Sequence, residues 1–228
     1  MRFIAIFANF FITTIIVLQR KYTMQCVIII LCSLCLCLYP FVTSAQNQDK
    51  FILSSEFGPK SEELLDYYRF AGIDYFRMKA KGQPLADKHF MLIAKEYWDG
   101  KVTKIDTCEN SRDIGIKVDT NDFNFSVIAQ KENKNSVKFM FAFPRFHLYR
   151  HFKATRGDYS LRDPFNGKEC EYSSNQPIML LVYSLPYQNP QKPGWSSYCE
   201  LSSTGVPPAE WGKKYGIKHH ITFEIQFY

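Results

Sequence analysis

The chain has 228 residues, 46% apolar and 22% charged, with 28 Lys+Arg against 22 Asp+Glu. That length suits one domain or two small ones, and the composition excludes collagen, a long coiled coil and a wholly disordered chain. The formal charge of +6 is no argument for nucleic acid, because Arg2, Arg20 and Lys21 supply half of it from a strongly apolar front segment.

Residues 1–45 contain no Asp, Glu or Gly. Two apolar runs, Phe3 to Leu18 and Cys26 to Val42, flank Gln19-Arg20-Lys21. The second run has the layout of an export signal: basic residues, an apolar stretch, the helix breaker Pro40, then Thr43-Ser44-Ala45 with the small side chains that signal peptidase accepts. Cleavage is expected after Ala45, leaving 46–228 as a single β-rich domain that is periplasmic, cell-surface or secreted. One export signal does not need two apolar runs. A true start near Gln19–Met24 accounts for the first run; a retained anchor accounts for both, each run being near the lower limit for crossing a bilayer. Membrane contact is expected only through an uncleaved leader.

Beyond the leader the cysteines are Cys108, Cys170 and Cys199. An oxidising compartment permits one disulfide, and three pairings are open. The loop-like, Tyr/Ser-rich surroundings of Cys170 and Cys199 favour that pair. No CxxC follows the leader, so neither a zinc knuckle nor a thioredoxin-type site is indicated.

In chain order, Ser61 followed by Glu62-Glu63 reads as a capped helix start, with Gly72 as its stop. From Phe90 onward the dominant period is two. Phe90 to Ala94 leads to Trp98-Asp99-Gly100, a hairpin signal, and the chain returns through Val102 and Ile105. Phe123, Phe125, Val127 and Ala129 alternate, Glu132 to Asn135 turns, and Val137, Phe139, Phe141 and Phe143 alternate again. Ile178 to Tyr183 is a continuous apolar run, as in a buried central strand. Pro207-Pro208 opens a short helix carrying Trp211 and Tyr215, which Gly216 closes. Ile217, Ile221, Phe223, Ile225 and Phe227 then line one face of a last strand. About eight strands in this arrangement predict a mainly β fold, an antiparallel sandwich with one or two short peripheral helices, the α+β class being the alternative.

No GxSxG, GxxxxGK[ST], HExxH or GxGxxG occurs, so nothing specific argues for an enzyme. His147 and His151 have metal-like spacing only on a helix. Phe146, Leu148 and Phe152 alternate as in a strand, where four residues span about 13 Å, and Arg145, Arg150 and Lys153 repel a cation. No metal or cofactor is expected. On that strand Arg145, His147, Tyr149, His151 and Lys153 share a face that is either simply solvated or able to grip an anionic glycan or a phosphate group. His219 falls in the apolar register of the last strand, while His220 points the other way; a core-facing histidine has a partner or sits at a site. Asp119 to Asn124 resembles a calcium loop, but Phe123 stands where a ligand oxygen is needed, so an Asx-rich turn is expected. Trp98 at a hairpin tip and Trp195 in Pro193-Gly194-Trp195-Ser196 are placed to stack on sugar rings.

Leu38-Tyr39-Pro40-Phe41-Val42-Thr43-Ser44-Ala45-Gln46 and the segment Pro208 to His220 resemble uncharacterised exported proteins of Gram-negative gut bacteria. The resemblance covers the leader and the tail, implies export, and carries no activity. The expected function is an exported, non-catalytic domain binding a ligand, a glycan or a cell-envelope protein, with no nucleic acid. The alternatives are a small outer-membrane barrel, suggested by the terminal Tyr228, and a secreted hydrolase with dispersed acidic residues.

Overall fold

The computed structural model describes residues 49–164, 167–188, 194, 196–198, 201 and 205–228. The expected leader with its processing point after Ala45, Trp195 and Cys199 all lie outside the described residues. Alternation of apolar and polar residues sets the strands, which are β1 (Lys50–Phe57), β2 (Ile73–Lys81), β3 (Phe90–Trp98), β4 (Lys101–Asn110), β5 (Asp122–Asn133), β6 (Ser136–Ala142), β7 (His147–Lys153), β8 (Ser160–Arg162), β9 (Cys170–Ser173), β10 (Ile178–Ser184), β11 (Tyr187–Gln188), β12 (Ser196–Ser197) and β13 (His219–Phe227). Among the described residues two α-helices accompany them, α1 (Glu62–Phe70) and α2 (Pro208–Tyr215).

One sheet has the order β7-β6-β5-β2-β1-β9 and the other β4-β3-β13-β10-β8, while β11 and β12 pair separately. Every pairing among the described residues is antiparallel. The expected sandwich is the observed one. It has more strands than the eight foreseen, because β1, β2 and the short β8, β9, β11 and β12 carry weak alternation. Both sheets end in edge strands and no closed barrel forms among the described residues, which overturns the outer-membrane-barrel alternative. The apolar residues point between the sheets, where a barrel of that class would present them outward to lipid.

Large rings join the two layers. Phe139 packs on Phe223 at 4.7 Å between centroids, Phe51 on Phe227 at 5.2 Å, and Phe123 on Phe227 at 5.6 Å. Each such side chain contributes about 1.5–3 kcal/mol on burial. The β3–β4 turn is Asp99-Gly100 with φ of 48° and 75°, the mirror-image turn that matches strand twist. Ser61 caps α1 by accepting from the Leu64 N–H at 3.2 Å, yet α1 buries none of its residues. By contrast α2 seats Trp211 against the outer face of the second sheet, beside Val182, Tyr187, Leu201 and Ile217.

Candidate functional site

Along β3, Phe90, Leu92 and Ala94 face the core, and the next inward position is Glu96. A carboxyl group thus takes a place where the strand's period calls for an apolar residue. Its Oε1 accepts from the Trp98 indole Nε1 at 2.6 Å and lies 3.4 Å from His219 Nε2. Glu96 is only 7% exposed. Its other oxygen, Oε2, has no donor among the described residues and is the part of the group left to solvent.

Register places His219 opposite Trp98 and His220 opposite Tyr97. Each pair stacks, at 4.1 Å on the core side and 4.4 Å on the outer side. The sequence placed His219 in the core, and it is fully buried there. His220 does point the other way, but α2 covers it: Trp211 packs 5.4 Å from its ring, and neither of its nitrogens has a well-formed hydrogen bond. Burial lowers the pKa of both imidazoles to about 4, so both are neutral at pH 7.

The tautomer of His219 follows from its neighbours. The Thr155 N–H donates to the Tyr159 hydroxyl at 3.2 Å, and that hydroxyl lies 2.6 Å from His219 Nδ1. Burial raises the Tyr159 pKa to about 12, with the Glu96 charge adding to the effect, so the hydroxyl keeps its proton and donates it to Nδ1. The imidazole proton therefore sits on Nε2, facing Glu96 Oε1 but poorly aligned for a hydrogen bond. A polar chain runs Thr155, Tyr159, His219, Glu96, Trp98.

Opposite Glu96 the β3–β4 ladder is interrupted: Glu96 pairs with Lys104 and Tyr97 with Val102, leaving Thr103 as an extra residue on β4. Such bulges re-aim side chains. Here Thr103 and Lys104 both reach a cleft of about 710 Å3, which Glu96, Trp98, His151, Phe152 and Lys153 complete. The cleft opens where edge strand β4 meets edge strand β7, the two being tied by Arg150 of β7 donating to the Cys108 carbonyl of β4. Lys104 leans between the sheets, its Nζ 5.9 Å from the Phe152 ring centre. Lys104 lies 3.3 Å from Asp106 and His151 lies 3.1 Å from Glu132, while Lys153 makes no ion pair among the described residues.

Of the residues singled out in the sequence, Trp98 and His151 line this cleft and His219 stacks behind it. On β7 the expected shared face is kept: His147, Tyr149, His151 and Lys153 all stand in the outward register, with Lys138 4.9 Å from the Tyr149 ring centre and with His151 and Lys153 at the rim of the cleft. Arg145 pairs with Asp119 at the lip of a smaller groove of about 210 Å3, at the opposite end of β3. β7 is a strand, as expected, so His147 and His151 are not metal-spaced. Cys108 and Cys170 are free thiols, and Cys199, the other half of the expected bridge, lies outside the described residues.

Glu96, Tyr159, Thr103 and Lys104 were not foreseen. A glutamate in the inward register of an alternating strand was the available signal for the first; Tyr159 sits in a loop and carries none. No family model, no curated protein and no solved structure matches the chain.

Proposed function

We propose that the protein is an exported, non-catalytic β-sandwich domain that binds a saccharide in the cleft between β4 and β7. The leader layout over 1–45 and the resemblance to exported proteins support the location. One observation carries the binding reading: a half-buried indole, Trp98, beside a buried carboxyl group with a free oxygen, both in an open cleft. Sugars present CH groups that stack on an aromatic face and hydroxyls that donate to an acceptor such as Glu96 Oε2. The Trp98 indole N–H, donating to Glu96 Oε1, holds the acceptor in place, and the pre-organised geometry lowers the entropy cost of binding.

The test is a glycan-panel binding assay on protein isolated from its native host, with Trp98→Ala and Glu96→Gln alongside and circular dichroism to check folding. A bound sugar whose affinity falls at least about tenfold in both variants supports the reading; tenfold is the effect of losing one good contact. Absence of saccharide binding, or binding indifferent to both variants, overturns it. Release of reducing ends from a bound glycan, abolished by Glu96→Gln, would make the protein a hydrolase instead.

A further inference from the structure

The outward face of the first sheet carries an apolar row where a solvated surface calls for polar residues. Tyr75 of β2 stands opposite Ile128 of β5, Ile128 opposite Met140 of β6, and Met140 opposite Tyr149 of the edge strand β7. Neighbouring strands lie about 4.8 Å apart, so the row crosses about 14 Å of sheet. Tyr75, Ile128 and Met140 are half-buried and Tyr149 is 50% exposed. Helix α1 extends the row at its β2 end: the Tyr68 ring lies 5.8 Å from Tyr75, and Tyr67 next to it is 59% exposed. Single exposed apolar side chains are ordinary, whereas a contiguous row of this length marks a contact surface.

The order of the row says what covers it. It reads Tyr, Ile, Met, Tyr, the same side-chain classes from either end. We infer that a second copy of this chain packs on this face, about a two-fold axis that lies between β5 and β6 and runs along the strands. That axis sets Tyr75 on the other copy's Tyr149 and Ile128 on the other copy's Met140. Each contact then occurs twice, as an isologous interface requires.

Charge follows the same axis. At the β2 end α1 presents Glu62, Glu63 and Asp66, of which only Asp66 has a cation among the described residues, Arg69 at 3.3 Å. At the other end β7 presents His147, His151 and Lys153, of which only His151 has an acid there, Glu132 at 3.1 Å. Rotation about the strand direction brings each end over its opposite in the other copy, so acids meet bases. An axis across the strands would set acids over acids and bases over bases, which costs free energy. A neutral polymer such as a glycan would use the rings but has no use for opposite charges at the two ends.

The experiment is sedimentation of the full protein from its host across a dilution series, with Ile128→Glu and Met140→Lys made singly and then mixed. Both positions face outward, so circular dichroism should show each variant folded. The native protein is expected to reach twice its monomer mass as concentration rises, and each variant alone to stay at the monomer mass. The mixture is expected to regain the doubled mass, because the two new side chains carry opposite charges and face each other across the axis while the second Ile128–Met140 contact stays native. A native protein that is monomeric at every concentration, a dimer indifferent to both variants, or variants that do not rescue each other overturns the inference. A monomer whose glycan binding is lost in Met140→Lys gives the face to a saccharide and overturns it too. Neither Ile128 nor Met140 lines the Trp98 cleft, so the saccharide reading of that cleft stands or falls by its own variants.

Discussion

Trp98 Nε1 donates to Glu96 Oε1 at 2.6 Å from two positions further along the same strand. Side chains at i and i+2 of a strand point to one face, so this bond forms inside the cleft and fixes the carboxyl group against the indole. Trp98→Phe keeps a ring and removes the N–H. It leaves a buried acceptor short of a donor and is expected to lower stability by about 1.5–3 kcal/mol, the range for hydrogen bonds to charged groups. Urea unfolding at pH 7 measures this, and a change below about 0.5 kcal/mol would mean that the bond contributes nothing net.

That bond also shows how far the sequence could be read. The alternation of Phe123 to Ala129 and of Val137 to Phe141 encodes β5 and β6 directly, because each strand has one face in the core. His219 was legible for the same reason. In β1 the core residues Phe51, Leu53 and Ser55 include a serine, and in β2 Asp74 takes an inward position while Ile73 and Tyr75 take outward ones, so those strands did not announce themselves. Glu96 is a polar residue in an apolar register, a local conflict of the kind functional sites impose. The burial of His220 depends on α2 folding over β13, a contact distant from His220's own strand pattern that no local periodicity encodes.

Tyr159→Phe tests the polar chain behind the cleft. Both the Thr155 N–H and His219 Nδ1 lose their partner on the hydroxyl. A loss of about 1–3 kcal/mol is expected, the cost of leaving a buried donor or acceptor unpaired. The proton on His219 is then no longer directed to Nε2, so nitrogen NMR of the imidazole should show the Nε2–H tautomer losing its dominance. An unchanged tautomer would show that Glu96, not Tyr159, sets it.

Acid stability follows from three buried groups with opposing signs. His219 and His220 titrate near 4 in the folded protein against 6.5 when free, so below pH 6.5 the unfolded chain takes up protons that the native state refuses. Their contribution to stability is lost as pH falls from 6.5 to 4. Burial raises Asp74 from 3.8 to about 6, so between those values the native state holds a proton the unfolded chain has released, and its contribution grows as pH falls. Two groups oppose one, giving a net loss of about 1.4 kcal/mol per pH unit between pH 6 and 4. Asp74→Asn keeps an acceptor for the Leu161 N–H, which donates to the Asp74 carboxyl at 2.8 Å, and removes the opposing proton. The slope should then rise to about twice its former value. Urea midpoints at pH 6, 5 and 4 for both proteins decide this. An equal slope in the two proteins would show that Asp74 does not titrate in that window.

The seat of α2 is set by a backbone contact without room for a side chain. A Cβ built on Gly212 would lie 2.2 Å from the Gly100 nitrogen and 2.4 Å from its Cα. Gly100 cannot move aside cheaply: its φ is 75°, and the Asp99 N–H beside it donates to the Lys218 carbonyl at 2.8 Å. Gly212→Ala must therefore lift α2 from the β3–β4 turn, at a cost near the upper end of overpacking penalties, about 3 kcal/mol. Trp211 rides on the same helix over His220, so lifting it admits water to that imidazole. In a variant that stays folded, the His220 pKa should climb from about 4 toward its ordinary value, read by NMR titration. A stable Gly212→Ala protein with an unchanged His220 titration would show that the helix does not depend on this contact.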